Sequence, residues 1–350
     1  MKAAILGTTG YTGQILLRLL STHPEVTHIY PVSSSSSGTP LMELDPSLGN
    51  SVREKTSCTN HCYVDLSTAA KAGIDIVFAA LPHLASAEIC KPFFQTSVVV
   101  DLSADFRISD PNIFFRAYNQ QPPRPDLLNK AVYGLSEWMT PEISQADLIA
   151  NPGCYPTATL LPLLPLIREN MVETDIIVNA LSGISGAGKK ARENLLFCTR
   201  TENVNAYNPG RQHRHTQEIQ QEIDRWSPGQ NNTQPARVYF TPHLVPIQQG
   251  MAVTTSLGLK KGITDEAIHQ AFLDCYENRP WIRYTSTIPQ TSHVRGTNRC
   301  DFTYHRDEDR IFLLSVIDNL YKGASGQAVQ NMNIRFGFEE TLGLPDHGEL

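Results

Sequence analysis

The apolar residues of this chain follow two rhythms. In the first part they come as short, mostly apolar runs, at Met1–Leu6, Val26–Val32, Ile74–Ala80 and Ser97–Asp101. Such runs, set between turns and helical stretches, are the pattern of strands buried on both faces, as in a parallel sheet wrapped by helices. After Cys154 the strand-like stretches Ile176–Ala180, Val238–Phe240 and Ala252–Leu259 alternate and are parted by long polar loops, which predicts a second, mixed α/β domain. The change of rhythm puts the boundary near Gly153. No run is long enough to span a bilayer, and there is no internal repeat.

The first strand runs straight into Gly7-Thr8-Thr9-Gly10-Tyr11-Thr12-Gly13, and the helical run Gln14–Leu20 follows. Glycines there let the main chain approach a pyrophosphate, whose charge is met by the N–H groups and dipole of the helix start. The spacing Gly-x-x-Gly-x-x-Gly is weak as a bare pattern and gains meaning from its place between strand and helix. The second strand ends in Ser33, Ser34 and three further serines, where an NAD-binding fold carries an acid for the ribose 2′-hydroxyl. Small hydroxyls at Ser33 and Ser34 admit a 2′-phosphate, so the expected cofactor is NADP; the plain alternative is a serine linker.

Cys154 sits in Asn151-Pro152-Gly153-Cys154-Tyr155-Pro156-Thr157, where a strand hands over to a helix. Free N–H groups and the positive dipole end at a helix start can lower a thiol pKa from about 8.5 to roughly 3.5–7.5, which makes a nucleophile at neutral pH. Pro156 suits a first helical turn, where its missing N–H costs nothing.

Three polar loops offer partners for that thiolate. Leu102–Arg107 lies at the carboxyl end of a strand, where open α/β sheets bind ligands, and makes Arg107 an anion-binding candidate. Ser182-Gly183-Ile184-Ser185-Gly186-Ala187-Gly188-Lys189-Lys190 reads as a backbone nest for phosphate or, more plainly, as a flexible turn. Arg211–Glu218 holds His213, His215 and Glu218, so one imidazole can move a proton and the carboxylate can orient it or meet substrate.

Composition narrows the classes. A net charge of −6 over 350 residues gives no basic field for nucleic acid. Seven scattered cysteines without paired spacing suit a reducing compartment, and Cys58 and Cys62 lack the second pair a metal site needs. The glycine loop begins too near Met1 for a leader, so the expected location is the cytosol.

In ordered motifs across nearly the whole chain the sequence resembles the N-acetyl-γ-glutamyl-phosphate reductases. The resemblance rests on Gly7–Gly13, Asp101–Arg107, Asn151–Thr157, Ser182–Gly188, His213–Thr216, Pro242–Pro246 and Ile317–Ala328. It implies a doubly wound, Rossmann NADP-binding domain over 1–153, completed by a C-terminal helix within 320–350, and a semialdehyde-dehydrogenase-like α/β domain over 154–319 for catalysis, substrate and oligomerisation. It further implies Cys154 as nucleophile on an acyl phosphate, a thioester reduced by NADPH, a proton handled by His213 or His215, and arginine biosynthesis as the pathway. Cofactor contacts would come from Gly7–Gly13 (Thr8, Thr9, Gly10, Tyr11 and Thr12 included), Ser33, Ser34, Ser185, Gly186, Asn319, Gly323 and Gly326. Substrate and phosphate would meet Ser103, Arg107, Ser182, Gly183 and Glu218, with no metal and no membrane or nucleic-acid partner.

A homodimer or homotetramer is implied as well. From the residues alone, Gln327–Phe336 is an amphipathic helix. The chain departs from the family pattern at Lys189, Gln217 and Gln249, which bears on substrate contacts more than on reaction type. Alternatives are an aspartate-semialdehyde or aminoadipyl-type dehydrogenase, or an NADP-sensing regulator without turnover.

Overall fold

In the computed structural model, which describes residues 1–228 and 236–348, the mostly apolar runs of the first part become strands. They are β1 (Lys2–Leu6), β2 (His28–Val32), β3 (Ile76–Ala79) and β4 (Val98–Asp101), joined by β5 (Val132–Tyr133) and β6 (Leu148–Ala150). All six lie parallel in the order β2-β1-β3-β4-β6-β5. Their side chains are buried on both faces, and Ala4, Leu6, Val77, Ala79, Val99 and Ala150 share one core with Phe93 and Phe106. The strand order reverses between β1 and β3, the switch point at which such sheets bind ligands.

The glycine loop sits at that point. Gly7 has a φ of +81°, and a Cβ there would lie 2.3 Å from Ala80 O. A Cβ on Gly13 would lie 2.4 Å from Gly7 O and 2.6 Å from Thr8 Cα. Gly10, which caps the helix Tyr11–Thr22, is different: a Cβ there meets only Gly7 O, at 3.6 Å.

This first unit comprises Met1–Phe115, Gln120–Pro152 and Ala324–Pro345. Within the segment 320–350, residues 320–323 and 346–348 go instead with the second unit, and 349–350 lie outside the described residues. The C-terminal helix, Gly326–Phe336, is not amphipathic as its pattern predicts: every residue from Gly326 to Ile334 is buried. Its amides are hydrogen-bonded instead of hydrated. Asn331 donates to Gly134 O (2.9 Å) and to Asn151 Oδ1 (3.0 Å) and accepts from Ser136 (2.7 Å), while Gln330 donates to Glu137 (3.0 Å).

The second unit holds Arg116–Asn119, Gly153–Gly323 and residues 346–348. Its strands are β7 (Val172–Ser182), β8 (Asn205–Ala206), β9 (Arg237–Leu244), β10 (Met251–Leu259), β11 (Ile282–Tyr284), β12 (Cys300–Asp307) and β13 (Arg310–Ile317). They form one mixed sheet in the order β11-β12-β13-β10-β7-β9-β8. Alternation along β7 buries Ile176, Val178 and Ala180 and exposes Ile177, Asn179 and Leu181. Ile177 pairs in register with Tyr239 of β9, so large apolar side chains stand on an open face.

The covered face carries the helix Cys154–Arg168, buried from Tyr155 to Ile167, where each fully buried leucine contributes about 1.5–3 kcal/mol. Pro162 and Pro165 lie inside it. Their missing N–H groups orphan the carbonyls four residues back, Ala158 O and Leu161 O. Ser315 Oγ donates to the first at 2.6 Å and Tyr276 to the second, so neither proline ends the helix. Among the described residues, no helix is long and apolar enough to cross a membrane.

Candidate active site

Gly153 is the extended residue before the Cys154 helix, with φ −68° and ψ 155°, and Cys154 is the first helical residue. No side chain caps this start and no acid lies in its first turn. Thr157 closes the turn by donating N–H and hydroxyl to Gly153 O at 3.0 and 3.1 Å. Cys154 is half-buried and not in a disulfide. Asn151, three residues earlier, is fastened in the first unit by its N–H on Asp101 O (2.8 Å) and its amide on Ala324 O (3.2 Å).

Glu218 links this helix start to the histidines. One carboxylate oxygen accepts Gly153 N–H at 2.8 Å, and the other stands 4.0 Å from His215 Nε2. His215 and Glu218 share the first turn of the helix His215–Trp226, and both are buried. A spacing of three residues puts them on one helical face, which is why a polar loop in sequence becomes a preformed pair.

His213 sits differently. Its Nδ1 accepts the His215 backbone N–H at 3.3 Å, which leaves the ring proton on Nε2. Its ring is walled by Tyr155, Tyr207 and Phe240, with centroids at 5.6, 5.5 and 5.3 Å. Burial, helped by the Arg214 charge, lowers its pKa to about 3, so it stays neutral. Tyr155 and Tyr207 join hydroxyls at 2.9 Å, and burial pushes Tyr207 up to about 12 and Tyr155 higher still.

Gly323 closes the other side. A Cβ there would lie 2.8 Å from Cys154 Cβ. It belongs to a π-helical turn, Tyr321–Ser325, that precedes the C-terminal helix. Asn319 donates to Ser185 Oγ at 3.0 Å and accepts Gly250 N–H at 2.7 Å.

Two of the predicted loops spend polar groups on internal bonds. The Ser182–Gly188 loop is not an open nest: the N–H groups of Gly183, Ile184 and Ser185 bond Gly250, Ile247 and Gln248 carbonyls, and those of Gly186 and Gly188 bond Gly183 and Ser185. Ser182 is buried with its hydroxyl on Gly183 O (3.1 Å). Ser103 and Arg107 also bond within their own segment. Ser103 Oγ reaches Asp101 and Asp105 at 2.9 and 3.0 Å, and Arg107, almost fully buried, donates to Leu102 O at 2.8 Å. Burial and the neighbouring Asp105 raise Asp101 to about 6, which marks a structural knot at the end of β4. In the first unit, Ser33 is buried beyond β2 and Ser34 is exposed, with no acid at the strand end.

Tyr207 and Phe240 escape a reading of the sequence, because only tertiary contact brings them to His213. Residues 2–146 match the model of a semialdehyde dehydrogenase NAD binding domain, and 154–319 that of a semialdehyde dehydrogenase dimerisation domain. The chain is 43% identical over 350 residues to the N-acetyl-gamma-glutamyl-phosphate reductase of Alkaliphilus metalliredigens, with 98% of each chain covered. It is 41% identical to that of Shouchella clausii, again over 350 residues and 98% of each.

The chain belongs to the N-acetyl-gamma-glutamyl-phosphate reductase family.

Solved structures agree on the fold of this family member. An aspartate semialdehyde dehydrogenase II from Vibrio cholerae, complexed with ASA, superposes with a TM-score of 0.69 at 18% identity, covering 96% of this chain and 98% of that one. An aspartate semialdehyde dehydrogenase from Candida albicans, solved with NADP, gives 0.66 at 17%, covering 95% and 97%.

Proposed function

We propose that this chain reduces N-acetyl-γ-glutamyl phosphate to N-acetyl-glutamate 5-semialdehyde and phosphate with NADPH, a step of arginine biosynthesis. The observation that carries the reading is Glu218, whose two oxygens join the start of the Cys154 helix to His215.

NADPH supplies the hydride when bound. The Gly7–Gly13 loop fits it: the start of the first helix has no side-chain cap, and Gly10 leaves open the space a diphosphate would fill. Ser33 and Ser34 replace the acid that would repel a 2′-phosphate. Cys154 attacks the acyl carbon and phosphate leaves, giving a thioester; hydride addition gives a thiohemiacetal, which collapses to aldehyde and thiolate. N–H groups at the helix start steady the oxyanion in both tetrahedral stages. His215 carries the proton, supported by the Glu218 carboxylate, while His213, neutral and spent on a main-chain bond, holds the His215 turn in place. Substrate and phosphate would meet Ser103, Arg107, Ser182, Gly183 and Glu218, with the Lys189 ammonium a point charge on the same loop as Ser182.

On this reading 1–153 with the C-terminal helix carries cofactor, and Ser185, Gly186, Asn319, Gly323 and Gly326 complete its site. The domain 154–319 carries chemistry and self-association. Its open sheet face, with Ile177, Leu181 and Tyr239, is the surface on which a homodimer or homotetramer would form. The enzyme would work in the cytosol.

The test is NADPH formation from N-acetyl-glutamate semialdehyde, NADP and phosphate, by wild-type and Cys154→Ser protein, with aspartate semialdehyde in parallel. Phosphate-dependent turnover of the acetylated substrate is expected, lower by at least about a thousandfold in Cys154→Ser. Turnover of aspartate semialdehyde alone would overturn the substrate, and NADP binding without turnover would point to a sensor.

A further inference from the structure

Asp318, directly after β13, is fully buried, and its carboxylate accepts four hydrogen bonds from three separate segments. One oxygen takes Leu320 N–H (2.8 Å) and Tyr321 N–H (3.2 Å) of its own turn. The other takes Gly296 N–H (2.7 Å) and the side-chain amide of Gln249 (2.5 Å). A buried carboxylate is costly unless fully hydrogen-bonded, so the chain has collected donors around this one. Its main-chain carbonyl takes Gly323 N–H at 2.9 Å, and Gly323 is the residue packed against Cys154.

The same knot reaches the other loops. Residues 183–185 are zipped to 247–250 by three main-chain bonds, and Gly183 leaves no space for a Cβ, which would lie 2.9 Å from Gln249 N. Gly250 and Ser185 both bond Asn319. Four segments, 182–186, 247–250, 296 and 318–323, therefore meet at Asp318 and Asn319 and end on the nucleophile.

We propose that Asp318 is a positioning residue for Cys154: through the turn 319–323 it sets how Gly323 abuts the nucleophile, and Gln249 is the side chain by which the 247–250 loop joins that control. The idea rests on Cys154 being the nucleophile. Asp318 has no exposed surface and acts only through its neighbours. With no room for even a Cβ between Gly323 and Cys154, a shift of the turn toward the nucleophile displaces Cys154, and displacements near an ångström cost about a hundredfold in rate.

The test uses the full-length enzyme and three readouts: kcat and KM, the rate of Cys154 carbamidomethylation by iodoacetamide at fixed pH, and Tm. Gln249→Met keeps the length and removes the donor. It should fold, lower kcat about tenfold with each KM within about threefold, and change the alkylation rate by about threefold or more. Gln249→Lys, which restores a donor, should recover most of the kcat. Asp318→Asn should show the larger loss; if it does not fold, Gln249→Met decides alone. A change in Tm only, or lost kcat with an unaltered alkylation rate, overturns the proposal. If alkylating Cys154 in the wild type leaves turnover intact, the nucleophile assignment itself fails. If alkylation abolishes wild-type turnover while Gln249→Met behaves as wild type, only the positioning role falls.

Discussion

The helix starts at Tyr11 and Cys154 are built to one plan and held by different means. Each follows a β-strand, each has glycine as the preceding extended residue, and neither has a side-chain cap or an acid in its first turn. Around Tyr11 the shape is set by main chain: Gly7 against Ala80 O of the neighbouring strand end, and Gly13 against Gly7 O and Thr8 a few residues back. Around Cys154 a side chain takes part, with the Glu218 carboxylate on Gly153 N–H and the main chain of Gly323 against the cysteine. A site for a large, constant anion can be hard-wired in backbone. A nucleophile that needs a proton partner has to be assembled from distant residues, which lets its charge environment be tuned without rebuilding the loop.

The sharpest way to break the comparison is to crowd the backbone-built start. In Gly13→Ala the new methyl meets main chain at 2.4–2.6 Å, and no rotamer can relieve it. We expect a loss of about 3 kcal/mol or more in the stability of the first unit, with no measurable NADPH binding by fluorescence titration. Gly10→Ala is the control, since its methyl meets only one oxygen at 3.6 Å. It should keep its unfolding free energy in urea within about 1 kcal/mol and lose NADPH affinity, because the space it fills is where a diphosphate would lie. Equal destabilisation by both variants would show that Gly10 is structural too.

The same contrast explains what could be read from residue order. The strand, glycine loop and helix at the N-terminus are legible because their determinants are neighbours in sequence, and the motif around Cys154 is legible for the same reason up to Pro156. The rest of that helix is not. Pro162 and Pro165 locally argue for a break, and only Ser315 and Tyr276 make them tolerable. The buried C-terminal helix misleads in the opposite way, since Gln327, Gln330, Asn331 and Asn333 look like a wet face until their partners are known. The Ser182–Gly188 loop looks like an anion nest because glycines and hydroxyls do not say whether their N–H groups are already taken. Which histidine keeps a neutral ring depends on the wall of Tyr155, Tyr207 and Phe240, two of them far from His213 in sequence.

That wall gives the side-chain-built start an acid weakness. His213 has a folded pKa near 3 against an ordinary value of 6.5. Between these the unfolded chain holds a proton that the folded one does not, so stability rises with pH through the window and is lost as pH falls from about 6.5 toward 3. The loss between pH 7 and pH 4 is about 3 kcal/mol for this group. His213→Gln should be less stable at pH 7, having lost ring packing, yet fall off more gently in acid. Urea unfolding of both proteins across that range should show the gap closing. Parallel curves would mean that His213 is not held neutral by its surroundings.

The smallest expected effect separates the two functions of Glu218. Glu218→Gln keeps an oxygen for Gly153 N–H and removes the charge beside His215, whereas Glu218→Ala removes both. If the carboxylate acts mainly by supporting a protonated His215, Glu218→Gln should retain the wild-type Tm and KM for NADPH while kcat falls about tenfold. Glu218→Ala should add a lower Tm, because it leaves a buried main-chain donor unpaired at a cost of about 1–3 kcal/mol. Wild-type kcat in Glu218→Gln would reduce the residue to a clamp on the helix start. The Cys154 site would then resemble the Tyr11 site more closely, a helix start fixed in shape with no charge tuning it.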